Sequence, residues 1–232
     1  MTIKVYYDYK RKTMKIISFS IWGKDKKYID GAIENAILTK KIYGNDWISR
    51  FYYDQDTVPS DGIEEIKRRG GVTIPCKNTK GSWEGLFWRF YPASDPDVDI
   101  MISRDTDSRL NSREKAAVDE WIKSEMCFHI MRDHYQHNVQ ILGGMWGATK
   151  KAIPDMKKLI DEWQAFGYRG CDQDFLASRI YPRIINDAMI HDEVIGDQYG
   201  WKEAGRKAWP KHKPIEWGEH VGGYVFERVL KW

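Results

Sequence analysis

The sequence predicts a single α/β domain with a mostly parallel central sheet flanked by helices. Its 232 residues suffice for one sizeable core. Short apolar runs typical of strands alternate with amphipathic segments typical of helices, an order that places parallel strands in one sheet. No repeat, linker or low-complexity segment divides the chain. We therefore assign residues 1–232 to one domain, with a core over about residues 14–192 and a C-terminal extension over 193–232.

The first third of the chain is predicted to form three strands separated by two helices. The helical segments carry apolar residues three and four positions apart, and the strand segments are rich in β-branched and aromatic residues. Gly44-Asn45 and Gly70-Gly71 end the two helices. The predicted elements are a strand over 14–21, a helix around 29–37, a strand over 47–53, a helix around 63–66 and a strand over 72–74.

The rest of the chain continues the alternation with less regular spacing. Asn111-Ser112 is expected to cap a helix, and Pro154 is expected to start another because proline is tolerated in a first turn. Beyond residue 190 only turns are predicted. The remaining predicted elements are helices over 112–123, 154–166 and 172–181, the last stopped by Pro182, and strands over 98–103, 127–131, 139–142 and 188–190.

Composition narrows the class of protein. The net charge is +3, from 37 basic and 34 acidic residues, which gives no strong field for nucleic acid. The three cysteines are far apart and odd in number, which argues against a disulfide framework and favours a reducing compartment. No apolar segment is long enough to span a bilayer, and no signal peptide is evident. We expect a soluble, cytoplasmic protein.

Two aspartates separated by one residue stand directly after an apolar run. The segment 98–110, VDIMISRDTDSRL, predicts a buried strand whose polar end brings Asp105 and Asp107 to the edge of the sheet. Carboxylates this close repel each other unless a cation or strong donors compensate them. Mg²⁺ or Mn²⁺ suits the pair, because these ions favour carboxylates together with phosphate oxygens. We expect Arg104 and Arg109 to meet the same phosphates, the alternative being a solvated acidic turn.

Two further clusters are candidates for a binding or catalytic role: a glycine pair beside a tryptophan, and two acids at a predicted helix start. Glycines at Gly143 and Gly144 beside Trp146 would let backbone approach a bound molecule while the indole offers a flat face, although a tight turn beside a core tryptophan is equally consistent. Asp172 and Asp174 stand at a predicted helix start, where capping needs one acid rather than two. We expect one to cap the helix and the other, with Asp174 favoured, to take part in the chemistry.

Histidines offer a further metal ligand. His129, His134 and His137 crowd one segment without a cysteine pair at zinc-binding spacing, so we expect them to supply at most a polar group or two to a pocket. His191 ends a short apolar segment that is predicted to be an edge strand. From there its imidazole would complete coordination around Asp105 and Asp107, although a lone histidine is more often structural.

The order of these features resembles GT-A glycosyltransferases, which have a Rossmann-like fold. The likeness spans about residues 14–192 and is greatest to glycogenin-like and galactosyltransferase-like enzymes and to small glycosyltransferases of bacterial and large-DNA-virus glycan pathways. The features are the β-α-β opening, Asp105-Thr106-Asp107, the Gly143-Gly144 turn with Trp146, Asp172-Gln173-Asp174 and the late His191.

The resemblance implies a nucleotide-sugar donor, such as a UDP- or GDP-sugar, and a carbohydrate or glycoprotein acceptor. It implies Mn²⁺ or Mg²⁺ bound by Asp105, Asp107 and His191. His220, near Gly222-Gly223, is a rival ligand because Lys213-Pro214 lies well beyond His191. The resemblance places Asp174 or Asp172 at the reacting centre. The donor-binding residues that it implies are Ser20, Trp22, Arg89, Arg104, Asp105, Gly143, Gly144 and Trp146.

The sequence leaves the stereochemistry and two other classes of function open. The glycogenin-like resemblance favours retention of anomeric configuration, with inversion as the alternative. A metal-dependent phosphohydrolase or nucleotidyltransferase also uses strand-end aspartates, but a two-metal version needs more acids than this chain offers near Asp105. A silent glycan-binding module would have no need of the Asp105 and Asp107 pair. We favour the transferase.

Overall fold

The computed structural model describes residues 13–193, 195–210 and 220–223, which share one eight-stranded sheet. The strand order is β3-β2-β1-β4-β6-β5-β7-β8. Strand β6 runs antiparallel to both neighbours, and the other pairings are parallel, so the predicted mostly parallel α/β class is confirmed. The strands are β1 (Lys15–Ile21), β2 (Trp47–Asp54), β3 (Val72–Cys76), β4 (Ile100–Ser103), β5 (Phe128–Met131), β6 (Trp146–Thr149), β7 (Ala188–His191) and β8 (Arg206–Lys207).

Helices cover both faces of this sheet. The Asn111 side chain accepts hydrogen bonds from the backbone of Arg113 and Glu114, so the predicted cap is confirmed. No helix in the described part of the chain is long and apolar enough to cross a membrane. The helices are α1 (Lys26–Leu38), α2 (Ser60–Arg68), α3 (Gly85–Trp88), α4 (Ser112–Lys123), α5 (Met156–Glu162), α6 (Cys171–Phe175), α7 (Tyr181–Ile184) and α8 (Ile195–Gln198).

The two largest apolar clusters of the core lie on opposite faces of the sheet. Ile16 of β1 belongs to one apolar cluster, whereas its neighbour Ile17 belongs to the other, as alternation along a strand requires. Phe128 and Trp146 pack in the first cluster and Trp121 in the second. Packing on both faces explains why β1 and β4 are almost continuously buried, including Ser18 and Ser20 of β1. The same burial fixes the carboxyl ends of β1 and β4, which carry the candidate site.

The strand predicted over residues 139–142 does not form, and β6 begins four residues later. Ile141 is fully buried from a loop, so its apolar character reports burial rather than a strand. Position 147, within β6, has room only for glycine. A Cβ there would stand 2.9 Å from the Ile102 side chain and 3.0 Å from the Trp121 ring. Strand β6 was missed in the sequence because glycine is rare inside strands and so does not indicate one.

The chain past residue 170 also differs from the prediction. A π-helical turn over Leu176–Ile180 follows α6, and Pro182 then occupies the first turn of α7 instead of stopping the helix. The predicted C-terminal extension contributes α8 and β8, so the sheet continues past residue 192. Strand β8 has two residues, which are too few for any periodic pattern. The extension's remaining segments, 211–219 and 224–232, lie outside the described residues.

Candidate active site

A buried arginine joins two carboxylates at the carboxyl edge of the sheet. Arg89 directly follows α3, is 4% exposed and donates hydrogen bonds to Asp105 and to Asp172, the second at 2.9 Å. Its backbone N–H donates to Ser20 Oγ of β1 at 3.0 Å. Burial alone would lower the pKa of the guanidinium, but Asp105 and Asp172 outweigh it and raise that pKa. The structure therefore brings together four residues that the sequence analysis assigned to the site.

Two glycines form the wall beside this cluster. A Cβ on Gly143 would stand 2.2 Å from Asp172 Oδ2 and 2.3 Å from Arg89 Nη2. A Cβ on Gly144 would stand 2.0 Å from Asp105 Oδ2. The Ser103 hydroxyl donates to the Gly143 carbonyl at 2.7 Å and so fixes the turn against β4. At these glycines the backbone lies close to charged side chains, and the predicted approach to a bound molecule stays a prediction.

Asp107 carries the electrostatic strain of the aspartate pair. Burial first, and then the nearby Asp105 carboxylate, raise the pKa of Asp107 to about 6, with Arg89 partly opposing both. Asp105 already faces Arg89, so its neighbour is left in a partly buried position beside a like charge. A cation at this place would relieve the repulsion.

The donor set suits a hard divalent cation that brings ligands of its own. Within the residues that the structure describes, no three histidine, cysteine or acidic side chains converge on one point. Asp105 and Asp107 would thus supply two oxygen ligands. Magnesium-type ions in proteins typically take one or two carboxylates and complete their shell with phosphate oxygens and water. The residues present fit such an ion provided that a phosphorylated substrate shares the site.

The loop that carries the aspartates is held by helix α1. Buried Asn35 donates to the carbonyl of Ser108 at 2.9 Å and accepts from the backbone N–H of Leu110 at 3.1 Å. A Cβ on Gly31 would stand 1.9 Å from the carbonyl oxygen of Thr106, so the helix contacts the loop backbone directly. These contacts fix the loop before any ligand binds, which is the arrangement that precise coordination requires.

Arg104 and Arg109 do not face the site as predicted. Arg104 is 1% exposed, and its Nε donates to buried Glu114 at 3.0 Å. Side chains alternate along an extended segment, so Arg104 and Asp105 face opposite ways. Arg109 pairs with Glu34 and donates to loop carbonyls instead. The predicted phosphate-binding role of both arginines is therefore corrected, and alternation alone could have excluded Arg104.

The two tryptophans predicted to bind the donor have different surroundings. Trp146 is fully buried, stacked on Phe128 at a centroid distance of 5.2 Å and contacted at 5.2 Å by the edge of Phe90. It belongs to the core, which corrects its assignment as a binding face. Trp22 is partly exposed at the end of β1 and meets Trp83 edge-on at 6.5 Å. Trp22 remains a candidate flat surface near Ser20.

His191 does not lie with the aspartates. Strand β7 stands three strands from β4, about 14 Å at the usual strand spacing. His191 is fully buried; its Nδ1 lies 2.8 Å from His129 Nε2, and its Nε2 lies 3.1 Å from Glu120 Oε2. The prediction of His191 as the third metal ligand is thus corrected. It assumed an edge strand next to the site, whereas β7 pairs with strands on both sides.

The rival histidine, His220, is held near the glycine turn. Its ring stacks on the His134 ring at a centroid distance of 4.1 Å. In the same short segment, a Cβ on Gly222 would stand 2.4 Å from Met145 Sδ. Met145 directly follows Gly144, which contacts Asp105. The segment of His220 therefore packs against Met145, but within the described residues His220 does not converge with Asp105 and Asp107 on one metal position.

The two acids of α6 have different surroundings, and neither caps the helix as predicted. Asp172 is 2% exposed and binds Arg89, and burial raises its pKa, with Arg89 opposing that rise. Asp174 is exposed and accepts a hydrogen bond from the Tyr168 hydroxyl. Neither cap position uses a side chain, because Gly170 occupies the N-cap. Asp172, rather than Asp174, is thus the acid that joins the Arg89 cluster, and the predicted part of Asp174 in the chemistry stays a prediction.

The shifted titration of Asp107 predicts a pH-dependent stability. Its folded pKa of about 6 lies above the ordinary 3.8, so stability is lost as the pH rises through 6 and is retained below 4. In metal-free buffer, we expect Asp107→Asn to raise the free energy of unfolding at pH 8 by about 1 to 2 kcal/mol, after allowance for partial solvent screening. Urea denaturation at several pH values measures this, with exposed Asp61→Asn as control. A gain that did not shrink toward pH 4 would contradict it.

Solved structures of other proteins are similar to this chain in fold, although its sequence differs from theirs. No protein-family model matches this sequence, and no curated protein sequence is similar to it. S. aureus TarS 1-349 in complex with UDP is similar at a TM-score of 0.53 and 10% identity, over 77% of this chain and 57% of that one. Mannosyltransferase PcManGT from Pyrobaculum calidifontis, in complex with GDP-Man and Mn²⁺, matches at 0.50 and 10% identity, over 80% and 56%.

A third similar structure is the galactosyltransferase LgtC in complex with donor and acceptor sugar analogs. Its TM-score is 0.50 at 10% identity, over 77% of this chain and 73% of that one. The chain thus spans little more than half the length of the first two structures and nearly three quarters of the third. Given the sheet order and the charged cluster at its carboxyl edge, this chain has the GT-A fold of nucleotide-sugar glycosyltransferases.

Proposed function

We propose that this protein is a metal-dependent glycosyltransferase that moves a sugar from a nucleotide diphosphate sugar to a glycan or glycoprotein acceptor. The observation that carries the proposal is the buried Arg89, which bridges Asp105 and Asp172 beside the Gly143-Gly144 wall. The cluster lies at the carboxyl ends of parallel strands, where open α/β sheets bind ligands. The similar structures with UDP and with GDP-Man support a UDP- or GDP-sugar donor.

The donor diphosphate would lie against Asp105 and Asp107, with Ser20 and Trp22 on the side of the nucleoside. Asp105 and Asp107 would hold Mn²⁺ or Mg²⁺, with phosphate oxygens of the donor and water completing the coordination shell. When bound, the cation would offset the negative charge that develops on the leaving diphosphate. The similar structure with Mn²⁺ supports this choice of metal.

Arg89 and Asp172 would act on the reacting centre. Breaking a sugar–phosphate bond develops positive charge on the sugar ring and negative charge on the leaving oxygen. The Arg89 guanidinium stays charged and can stabilise the leaving group. The Asp172 carboxylate can stabilise or attack the anomeric carbon in a retaining reaction, which we favour, or deprotonate the acceptor hydroxyl in an inverting one.

The two acids of α6 should separate in a mutational test. We expect Asp172→Asn to reduce transfer by about 10²-fold or more, because a buried carboxylate beside the sugar is lost while its shape is kept. Asp174→Asn is the matched control in the same turn of helix and should stay within about twofold of the parent. Transfer rates at saturating donor measure both. Equal activities for the two variants would remove Asp172 from the chemistry.

The proposed function itself is tested by the products formed from nucleotide sugars. The protein is incubated with a panel of UDP- and GDP-sugars and Mn²⁺, with and without sugar acceptors, and the released nucleotide is identified by chromatography. We expect nucleoside diphosphate from at least one donor and none from Asp105→Asn. Nucleoside monophosphate or pyrophosphate would indicate a phosphohydrolase or nucleotidyltransferase instead. No turnover of any donor would contradict the proposal.

A further inference from the structure

A cavity opens at the carboxyl ends of β5, β7 and β8, lined by residues other than those of the Arg89 cluster. Its volume is about 190 Å³, below the range of roughly 300 to 1,000 Å³ that is typical of sites for drug-sized ligands. The size fits one small ring rather than a nucleotide. The lining includes Arg132, Asp133, Tyr135, Asp192, Gln198 and Trp209.

The floor of the cavity is a buried network of charges. Arg132 is 1% exposed and pairs with Asp192 at 2.9 Å and with Glu203. Asp133 receives two hydrogen bonds from Arg113, at 3.2 and 2.8 Å. These contacts fix the positions of the two lining carboxylates before a ligand arrives. Both carboxylates are already satisfied, because Asp133 also accepts from the backbone N–H of Val221, and Asp192 accepts from those of Ile195 and Gly196. The groups left for ligand hydroxyls are therefore those of the rim.

The rim adds a flat apolar surface and exposed polar groups. Tyr135 is 66% exposed, a large value for a residue whose ring is mostly apolar. Exposed Gln198 and Glu193 face the same cavity from the β7 side. An aromatic face beside amide and carboxylate groups matches a sugar ring, which has an apolar C–H face and hydroxyls around its edge.

The charge of the lining selects among sugars. Asp133 is paired with Arg113 and Asp192 with Arg132, so the exposed Glu193 gives the lining its excess of negative charge. An anionic ligand, such as a phosphate or an acidic sugar, would be repelled by this excess of negative charge. A neutral sugar would not be.

The position of the cavity relates it to the reacting centre. Strand β5 stands two strands from β4 in the same sheet, about 10 Å at the usual spacing, and runs in the same direction. The cavity and Asp105 therefore share one edge. We propose that the cavity binds one neutral sugar ring of the acceptor glycan, remote from the reacting end; this inference rests on the proposed glycosyl transfer.

The test measures glycan binding separately from donor binding. The protein is applied to a printed array of neutral and acidic oligosaccharides, and UDP and GDP binding with Mn²⁺ is measured by calorimetry on the same samples. We expect binding to neutral oligosaccharides that falls by about fivefold or more in Tyr135→Ala. Tyr135→Phe keeps the ring and should bind within about twofold of the parent. Tyr168→Ala, equally a loss of an exposed tyrosine but away from the cavity, should leave glycan binding unchanged.

The outcomes separate the cavity from the proposed function. Unchanged glycan binding in Tyr135→Ala, or a preference for acidic glycans, would overturn the cavity proposal. Binding of a nucleotide with Mn²⁺ but of no glycan on the array would also overturn it and leave the proposed function standing. Glycan binding that depends on Tyr135, without any nucleotide binding, would support the cavity and contradict the transferase. Thermal unfolding of each variant, followed by circular dichroism, shows whether the variant is folded and so whether a loss of glycan binding is confined to the cavity.

Discussion

Replacing Asp105 or Asp107 with asparagine is expected to lower the rate of sugar transfer by about 10²- to 10³-fold. Each change keeps the shape of the side chain and removes one of the two carboxylates that stand at the end of β4. Because both carboxylates are proposed to bind one divalent cation, each variant should also lose Mn²⁺-dependent donor binding. Initial rates over a range of Mn²⁺ concentrations measure the loss.

The aspartate variants need controls for folding and for metal dependence. Asp107→Asn should be at least as stable as the parent at neutral pH, because it removes a carboxylate repelled by Asp105. The exposed Asp61→Asn should retain full transfer. Full activity of the parent in excess EDTA would contradict the metal assignment. Unfolding of both aspartate variants would instead make the pair structural.

Replacing Arg89 with methionine is expected to have the largest effect on stability. The change leaves the buried carboxylate of Asp172 without its ion-pair partner, and breaking a buried pair in this way costs about 3 to 5 kcal/mol. Transfer should also be lost, because Arg89 orients Asp105 and Asp172 together. Thermal and urea denaturation measure the first effect, and the transfer assay measures the second.

A double variant distinguishes the two effects of Arg89. In Arg89→Met/Asp172→Leu no unpaired charge remains buried at Asp172, so most of the lost stability should return. Transfer should stay absent, because neither charge is restored. If Arg89→Met were as stable as the parent, the ion pair would have no structural importance. If it kept activity, Arg89 would have no place in the chemistry.

The sequence allowed the prediction of features that depend on neighbouring residues. The strand-end position of Asp105 and Asp107 followed from the apolar run before them, and the cap at Asn111 followed from local side-chain chemistry. The close approach at Gly143 and Gly144 was also predictable, because glycine pairs of this kind permit it. Each of these inferences needs only short-range patterns.

Features that depend on strand order could not be predicted in this way. His191 follows a strand, as expected, but the antiparallel β6 and the strand β5 separate β7 from β4. Trp146 stands only two residues after Gly144, yet the direction of β6 places its ring in the core against Phe128. The pairing of Arg89 with Asp172 joins residues 83 positions apart. No local pattern encodes such long-range contacts.

The central claim is that Asp105 and Asp107 bind a divalent cation together with a nucleoside diphosphate. Calorimetric titration of UDP and of GDP, with Mn²⁺ and with EDTA, tests this claim most directly when the parent is compared with Asp105→Asn. We predict that at least one nucleotide binds only with Mn²⁺ and that Asp105→Asn weakens this binding tenfold or more, about 1.4 kcal/mol. Binding that is unaffected by EDTA and by Asp105→Asn, or no binding of either nucleotide, would contradict the account.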